Sequence, residues 1–481
     1  MTVGLICLGC PKNLVDAELM LGTLEQHGYR VTNEAAEAEM LIVNTCSFIE
    51  AAREEAIATI LEAAQLKEKG RCRYLVVTGC LVQMHGEELR RELPEVDAFV
   101  GVSEFPRLPE ILAQLEQSPV PPLAVNQPEM AYPEHLPRRR ATPPWTAYLK
   151  IAEGCDGACT FCTIPALRGK YRSRPPEAII AEAERLAKAG VKELILVAED
   201  TTYYGIDLAG RRLLPDLLRQ LGQISGLEWI RLLYGYPTRV DEALMEVMAT
   251  EPKICAYLDL PLQHADDGIL RAMGRAGHRD GYLRLVRRLR EYLPEIALRS
   301  TFIVGFPGEG PREFAILREF LREARLDRVG FFLFSPEPGT PAAEMPHQVP
   351  PTVAEQRLEE LVAVQAEISR ERNETFLGRV LPVLIEGIVT ENPGNAEVSS
   401  WKLEVGGRKC KSALRDGDVN SYAVYYGRSY RDAPEIDGLV FVAGEGLTPG
   451  DLVPVRITAA EEHDLHGCLG GHLAPFSGIQ R

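Results

Sequence analysis

Three cysteines, Cys155, Cys159 and Cys162, stand at C-x-x-x-C-x-x-C spacing in the stretch AEGCDGACTFCTIPALRGKYRSR. Three thiolates within eight residues can hold a metal centre, but they leave one position of a tetrahedral ion, or one corner of an iron-sulfur cube, without a protein ligand. A structural zinc site closes with four protein ligands, and the nearest downstream candidates, Cys255 and His264, lie far along the chain, so zinc is the weaker reading. The open corner is the functional clue.

A second set of thiols is spread over the first hundred residues. Residues 3–8 lead to Gly9-Cys10 and a helical pattern over 15–27; residues 40–43 lead to Asn44-Thr45-Cys46 and a helix over 51–64; residues 74–77 lead to Thr78-Gly79-Cys80 and a helix over 87–93. Apolar β-branched strands alternating with helices predict a doubly wound parallel sheet. In such sheets ligands bind outside the carboxyl ends of the strands, where Cys10, Cys46 and Cys80 all fall. One such cysteine alone would be packing; three at the same topological place predict a second three-thiolate site. Cys7 lies inside its strand and reads as a core thiol, and Cys72, Cys255, Cys410 and Cys468 have no partner at ligand spacing.

These residues need elements to carry them. The chain has 481 residues, 46% hydrophobic and 25% charged, room for about three domains. A formal charge of -16 argues against a surface that coats nucleic acid generally. The opening MTVGLICLGC is strand-like rather than a leader, and no apolar run approaches the ~20 residues of a spanning helix, so a cytoplasmic protein without membrane contact is expected. Eleven cysteines, an odd number, fit a reducing compartment.

Residues 1–117 form the first expected domain. Residues 118–145, studded with proline and carrying Arg138-Arg139-Arg140, read as a linker with solvated charge. Over 146–374, strand-like runs at 147–152, 193–198, 229–233, 257–260, 298–304 and 328–334 alternate with helical patterns, which predicts a partial (β/α) barrel with the cluster loop after its first strand, at the chemical end of such folds. A helix over 353–373 leads to short alternating strands in 375–470, a small β-barrel interrupted by an insertion at 390–422, and 471–481 is a tail.

The cysteine spacing followed by Phe161 and Thr163-Ile164-Pro165 resembles the radical S-adenosylmethionine (radical SAM) superfamily. With LGCPKNLVDAE, NTCSFI, TGCLVQ and EGCDGACTFCTIPALRGKYRSRP, nearly the whole chain resembles the radical SAM methylthiotransferases, most closely their RimO branch. The sister branch, which modifies an isopentenylated adenosine of tRNA, usually has Gln-Met-Asn where Pro11-Lys12-Asn13 stands. The resemblance implies two 4Fe-4S clusters, one on Cys155, Cys159 and Cys162 and an auxiliary one on Cys10, Cys46 and Cys80, together with S-adenosylmethionine and a reducing electron donor. It implies that Ile164 and the stretch from Ile303 to Gly305 meet the adenine side of the cofactor and that Glu199 and Asp200 approach its amino group, although relatives usually carry glutamine at 199. It also implies a TRAM domain at the carboxyl end that docks substrate.

The implied reaction is insertion of a methylthio group at the β-carbon of an aspartate in small-subunit ribosomal protein twelve, with a 5'-deoxyadenosyl radical abstracting the hydrogen. From Phe376 to Arg481 there are ten Lys or Arg against fourteen Asp or Glu, which suits a basic ribosomal protein better than the tRNA of the alternative reading. A reading of another class, a non-enzymatic iron-sulfur electron carrier or scaffold, fits less well: carriers tend to saturate their irons with cysteine and need no substrate barrel. His264 and Lys150 stay outside the expected catalytic set.

Overall fold

The computed structural model describes residues 1–115, 121–128, 131–389, 403–405, 408–410 and 423–470. The amino-terminal unit is a six-stranded parallel sheet in the order β2-β1-β3-β4-β5-β6, with β1 Thr2–Cys7, β2 Arg30–Val31, β3 Met40–Thr45, β4 Tyr74–Gly79, β5 Ala98–Val100 and β6 Leu123–Ala124. The strands are apolar on both faces because helices cover both. Leu41, Val43, Leu75, Val77 and Phe99 pack against Ala56 and Ile60 of α2 (Glu50–Lys69, after α1, Pro11–Gln26) and Leu89 of α3 (Cys80–Glu92). The alternate residues Val3, Ile42, Val76, Ala98 and Val100 pack against Leu19, Met20 and Leu24 of α1 and Leu108 and Ile111 of α4 (Leu108–Ala113).

The proline-rich segment is more than a linker. Strand β6 inside it extends the sheet, with Phe99 N–H donating to Pro122 O at 2.9 Å and Gly101 N–H to Ala124 O at 2.7 Å. The expectation of solvated charge fails at Arg138. Its guanidinium is buried between Glu18 of α1 (2.5 Å) and Glu182 (2.7 Å) and donates to Tyr148 O at 2.7 Å. A buried arginine persists only where carboxylates and carbonyls replace its water, and this one has both. Arg139, by contrast, pairs with Glu25 at the surface.

The central unit carries a second parallel sheet, β14-β13-β12-β11-β10-β7, the expected partial barrel. Its strands are β7 Thr146–Lys150, β10 Glu193–Val197, β11 Trp229–Leu232, β12 Ile254–Asp259, β13 Ala297–Val304 and β14 Arg328–Leu333, with the two-residue β8 (Ala152–Glu153) and β9 (Arg172–Ser173) paired beside them. Helices α5 Ile164–Arg168, α6 Pro176–Lys188, α7 Ile206–Ala209, α8 Leu214–Gly222, α9 Glu242–Thr250, α10 Asp267–Ala272, α11 Arg279–Tyr292 and α12 Pro311–Ala324 complete the unit. One face of the sheet, through Leu194, Leu196, Ile230, Leu258 and Leu298, meets α6, α8, α9, α11 and α12. The other, through Tyr148, Ile195, Trp229 and Tyr257, meets Val15 of α1 and the carboxyl-terminal barrel.

After α13 (Pro351–Glu374), that barrel closes in the order β15-β18-β19-β21-β20, formed by β15 Val380–Ile388, β18 Ala423–Ser429, β19 Val440–Gly444, β20 Leu452–Ala460 and β21 Leu465–Leu469. Within the expected insertion only the hairpin β16 Leu403–Val405 and β17 Arg408–Cys410 is described; the rest of 390–422, like 471–481, lies outside the described residues. The barrel is locked to the sheet by Glu193, which is fully buried between Arg231 (2.8 Å) and Arg428 (2.5 Å). Among the described residues, no helix is long and apolar enough to cross a membrane.

Candidate functional site: two thiol triads across a domain joint

The amino-terminal triad is assembled by three strand ends. Cys10 caps α1, Cys46 follows β3 and Cys80 opens α3 directly after β4. Two glycines in left-handed backbone let these loops touch: a Cβ on Gly9 (φ 99°) would fall 2.9 Å from Cys46 Cβ, and one on Gly79 (φ 101°) would fall 2.5 Å from Thr45 O. Asn13 ties the loops, its Nδ2 donating to Thr45 O at 3.1 Å and its carbonyl accepting from Asn44 Nδ2 at 2.9 Å. Burial pushes the Cys46 thiol up to about 11, with Cys80 and Cys10 adding to the shift. Burial also raises the Cys80 thiol, against the pull of Arg168.

The central triad sits in the single loop between β8 and α5. Cys155 N–H donates to Gly169 O at 3.0 Å, Gly157 N–H to Cys155 Sγ at 3.2 Å, and Cys162 N–H to Cys159 O at 3.2 Å. Thr160 fastens the loop to the end of α10, through its N–H to Met273 O (3.0 Å) and its hydroxyl to Ala272 O (2.8 Å). Burial lifts Cys162 to about 12; the backbone N–H of Ile164 opposes this, and Cys159 and Cys155 add to it. Among the described residues no three His, Cys, Asp or Glu side chains close on one point as around a single ion.

The two triads share a wall. Ile164 and Leu167 of α5 pack with Cys80, Met84 and Val102. Arg168, at the end of α5, donates to Cys80 Sγ at 3.6 Å and pairs with Asp16 of α1 at 2.7 Å and Glu153 at 3.0 Å, while also bonding Asn13 Oδ1. Lys150 pairs with Asp16 at 2.5 Å and Glu153 at 2.6 Å. Lys12 lies 3.8 Å from Glu199, so three cations face three carboxylates in the joint. Arg275 plays the part of Arg168 at the other triad, donating to Cys159 Sγ at 3.9 Å and lying over Tyr236 at 4.0 Å. Of these, Lys12, Lys150 and Glu199 drew notice from sequence. Asp16, Arg168 and Arg275 were missed, and the available signal was charge placed where helix faces and loops are otherwise apolar.

The expected cofactor contacts divide. Glu199 is buried with neither carboxylate oxygen hydrogen-bonded, and burial raises it above the usual carboxylate range. An orphaned carboxylate beside the central triad fits a cationic or N–H-bearing ligand, and the three thiols fit a cluster. Asp200 is committed elsewhere, pairing with Arg239 and accepting from Thr202 Oγ1 at 2.5 Å. Ile303 joins Phe161 in packing against Phe306, Ile269 and Met273. Gly305 has φ 78° and donates to Glu309 Oε2 at 3.1 Å. Ile164 lies in the wall between the triads. His264 is buried; its Nδ1 accepts from Asp266 N–H at 2.9 Å, so Nε2 carries the proton toward Glu309 at 3.3 Å. Cys7 is half-buried at the end of β1 and receives Asn44 Nδ2 at 3.7 Å.

Three family models match the chain: "Uncharacterized protein family UPF0004" over residues 2–101, "Radical SAM superfamily" over 149–321 and "TRAM domain" over 407–469. Among full-length relatives, Ribosomal protein uS12 methylthiotransferase RimO of Moorella thermoacetica is 49% identical, covering 97% of this chain and 98% of the relative. The protein of the same name from Symbiobacterium thermophilum is 48% identical over 97% of this chain and 90% of its own length. That from Geobacter sulfurreducens is 45% identical over 97% and 98%. In fold the chain resembles the radical S-adenosylmethionine methyltransferase TsrM from Kitasatospora setae, with a TM-score of 0.52 at 16% identity, covering 71% of this chain and 76% of that one.

Proposed function

Because the chain belongs to the RimO family, we propose that it places a methylthio group on the β-carbon of an aspartate of ribosomal protein uS12. Membership in the radical SAM superfamily brings S-adenosylmethionine and one 4Fe-4S cluster; on this reading Cys155, Cys159 and Cys162 would hold it. A second cluster on Cys10, Cys46 and Cys80 is the further part of the reading. When bound, these groups supply a carbon-centred radical at one triad and a transferable methylated sulfide at the other.

The observation that carries the reading is the wall shared by α3 and α5, which sets two separate three-thiol sites on either side of one charged joint. This chain's residues hold the two sites in fixed relation. Arg168 and Lys150 join α1 to the central sheet through Asp16, and the glycines at 9 and 79 let the strand-end loops close. Each triad keeps one buried guanidinium against a thiol, which stabilises anionic sulfur there. The side chains that make these bonds, Lys150, Arg168 and Asp16, are themselves buried, which strengthens their pairing.

The protein substrate is favoured over tRNA by how the basic residues are spent. Arg168 and Arg174 near the central loop are buried in pairs with carboxylates. Arg428 and Arg431 of the barrel are likewise buried, against Glu193 and Asp327. The enzyme is read as cytoplasmic, with free cysteines throughout the described residues and a soluble reductant as electron donor. Anaerobic reconstitution followed by separate incubation with uS12 and with isopentenylated tRNA tests the assignment. Mass spectrometry is expected to find the added methylthio group on uS12, and modification of tRNA alone would overturn it.

A further inference from the structure

Of the three cations in the joint between the triads, two are satisfied and one is not. Lys150 and Arg168 each hold two carboxylates at 2.5 to 3.0 Å. The ammonium of Lys12, in the first turn of α1, makes no hydrogen bond among the described residues. Its ammonium stands 3.8 Å from Glu199 Oε1, beyond hydrogen-bonding reach, and 4.1 Å from the centroid of the Tyr234 ring. Both Glu199 oxygens are buried without a donor. A buried pair with its bonds unmade on both sides carries the desolvation cost of two charges and recovers little of it.

The pair lies between the triads, where under the proposed function the target side chain has to come. Lys12 is within electrostatic reach of Cys10 of one triad and Cys162 of the other, and Glu199 of Cys155. The Lys12 side chain is 11% exposed, so it is not sealed from solvent. Tyr234 holds the ammonium from beneath while itself kept at φ 60°, a conformation that costs a bulky residue free energy.

Resting on the proposed function, we propose that Lys12 receives the side-chain carboxylate of the target aspartate and is the residue that selects an acidic side chain over a neutral group. The incoming carboxylate supplies the close, hydrogen-bonded partner that Glu199 does not. Glu199, raised by burial against the pull of Lys12, is then left to the cationic or N–H-bearing ligand that its two orphaned oxygens fit. A neutral amide or base brings no charge to Lys12 and leaves the unfavourable pair in place, so discrimination comes from the same contact as affinity.

The test is binding of fluorescent uS12 loop peptides, carrying Asp or Asn at the target position, to the reconstituted enzyme. Wild type is expected to bind the Asp peptide tighter by about tenfold or more, the effect of one desolvated charge pair. Lys12→Met is expected to reduce that ratio to about one, Lys12→Arg to keep most of it, and Glu199→Gln to tighten the Asp peptide by removing the competing carboxylate. Equal binding of the two peptides by wild type, or an undiminished preference in Lys12→Met with both clusters loaded, overturns the proposal. If Lys12→Met does not load, the wild-type ratio and the Glu199→Gln shift decide. A wild type that modifies no uS12 at all overturns the functional reading itself, whereas one that modifies uS12 but binds Asp and Asn peptides alike overturns only the role of Lys12.

Discussion

The two thiol triads solve the same problem by opposite means. The central one is built within a single loop, where backbone bonds such as Cys155 N–H to Gly169 O fix all three cysteines at once. The amino-terminal one exists only when β1, β3 and β4 lie side by side, so its geometry is a property of the whole sheet. A local site survives insults that a topological site does not.

The sharpest way to break the comparison is to remove one thiol from each triad. Cys155→Ala is expected to abolish 5'-deoxyadenosine formation while about half the iron and the spectrum of the other cluster remain, since each triad belongs to its own unit. Full cleavage activity in that variant would contradict the assignment. Cys80→Ala is expected to do the reverse, still forming 5'-deoxyadenosine but giving no methylthiolated product; ordinary product formation would show that the second triad is not needed.

The central triad was legible because its spacing is written in eight consecutive residues, and the second because three strand ends repeat one layout. What escaped was the pairing that joins them. Lys150 meets Asp16 across 134 positions of sequence, and Arg168 meets it across 152, so no window of sequence contains both partners. Strand β6 was hidden by its two-residue length between prolines, where composition reports a linker and only pairing with β5 reveals a sheet edge. Arg138 was misread for the same reason: its burial is decided by Glu18 and Glu182, which come from two different units.

That arginine gives a smaller, graded test. Burial alone would raise Glu182, but Arg174 and Arg138 outweigh it and hold its carboxyl below the ordinary carboxylate range. A depressed folded-state value means stability that is fully present above the unfolded carboxylate range and is lost as pH falls through the lower folded value. The thermal stability of the apoprotein is therefore expected to fall on acidification below about pH 4.5. Arg138→Met should lower stability at neutral pH by about 3 to 5 kcal/mol, because Glu18 and Glu182 lose a shared buried partner, and should flatten the acid dependence, because Glu182 keeps only Arg174. An unchanged melting profile would mean that the joint does not hold the amino-terminal unit to the central sheet.

The smallest expected effect concerns Cys7, the thiol nearest to spoiling the contrast. It forms C-x-x-C with Cys10, and the two thiols feel one another electrostatically. Burial first, and then Cys10, push the Cys7 thiol up to about 12, as burial does Cys162, so position and not acidity sets Cys7 apart from the ligand cysteines. Cys7 is also the last residue of β1, with Gly9 in left-handed backbone turning the chain before Cys10, and its sulfur already receives the Asn44 amide at 3.7 Å. A serine there keeps an acceptor for that amide and changes little else. Cys7→Ser is accordingly expected to retain the iron content and the spectra of both clusters, with stability altered by about 1 kcal/mol or less. Loss of about half the iron would show that the strand cysteine, and not the loop cysteine, is the ligand. The amino-terminal triad would then begin inside the sheet instead of at its edge, and the rule that placed all three thiols beyond the strand ends would fail at its first member.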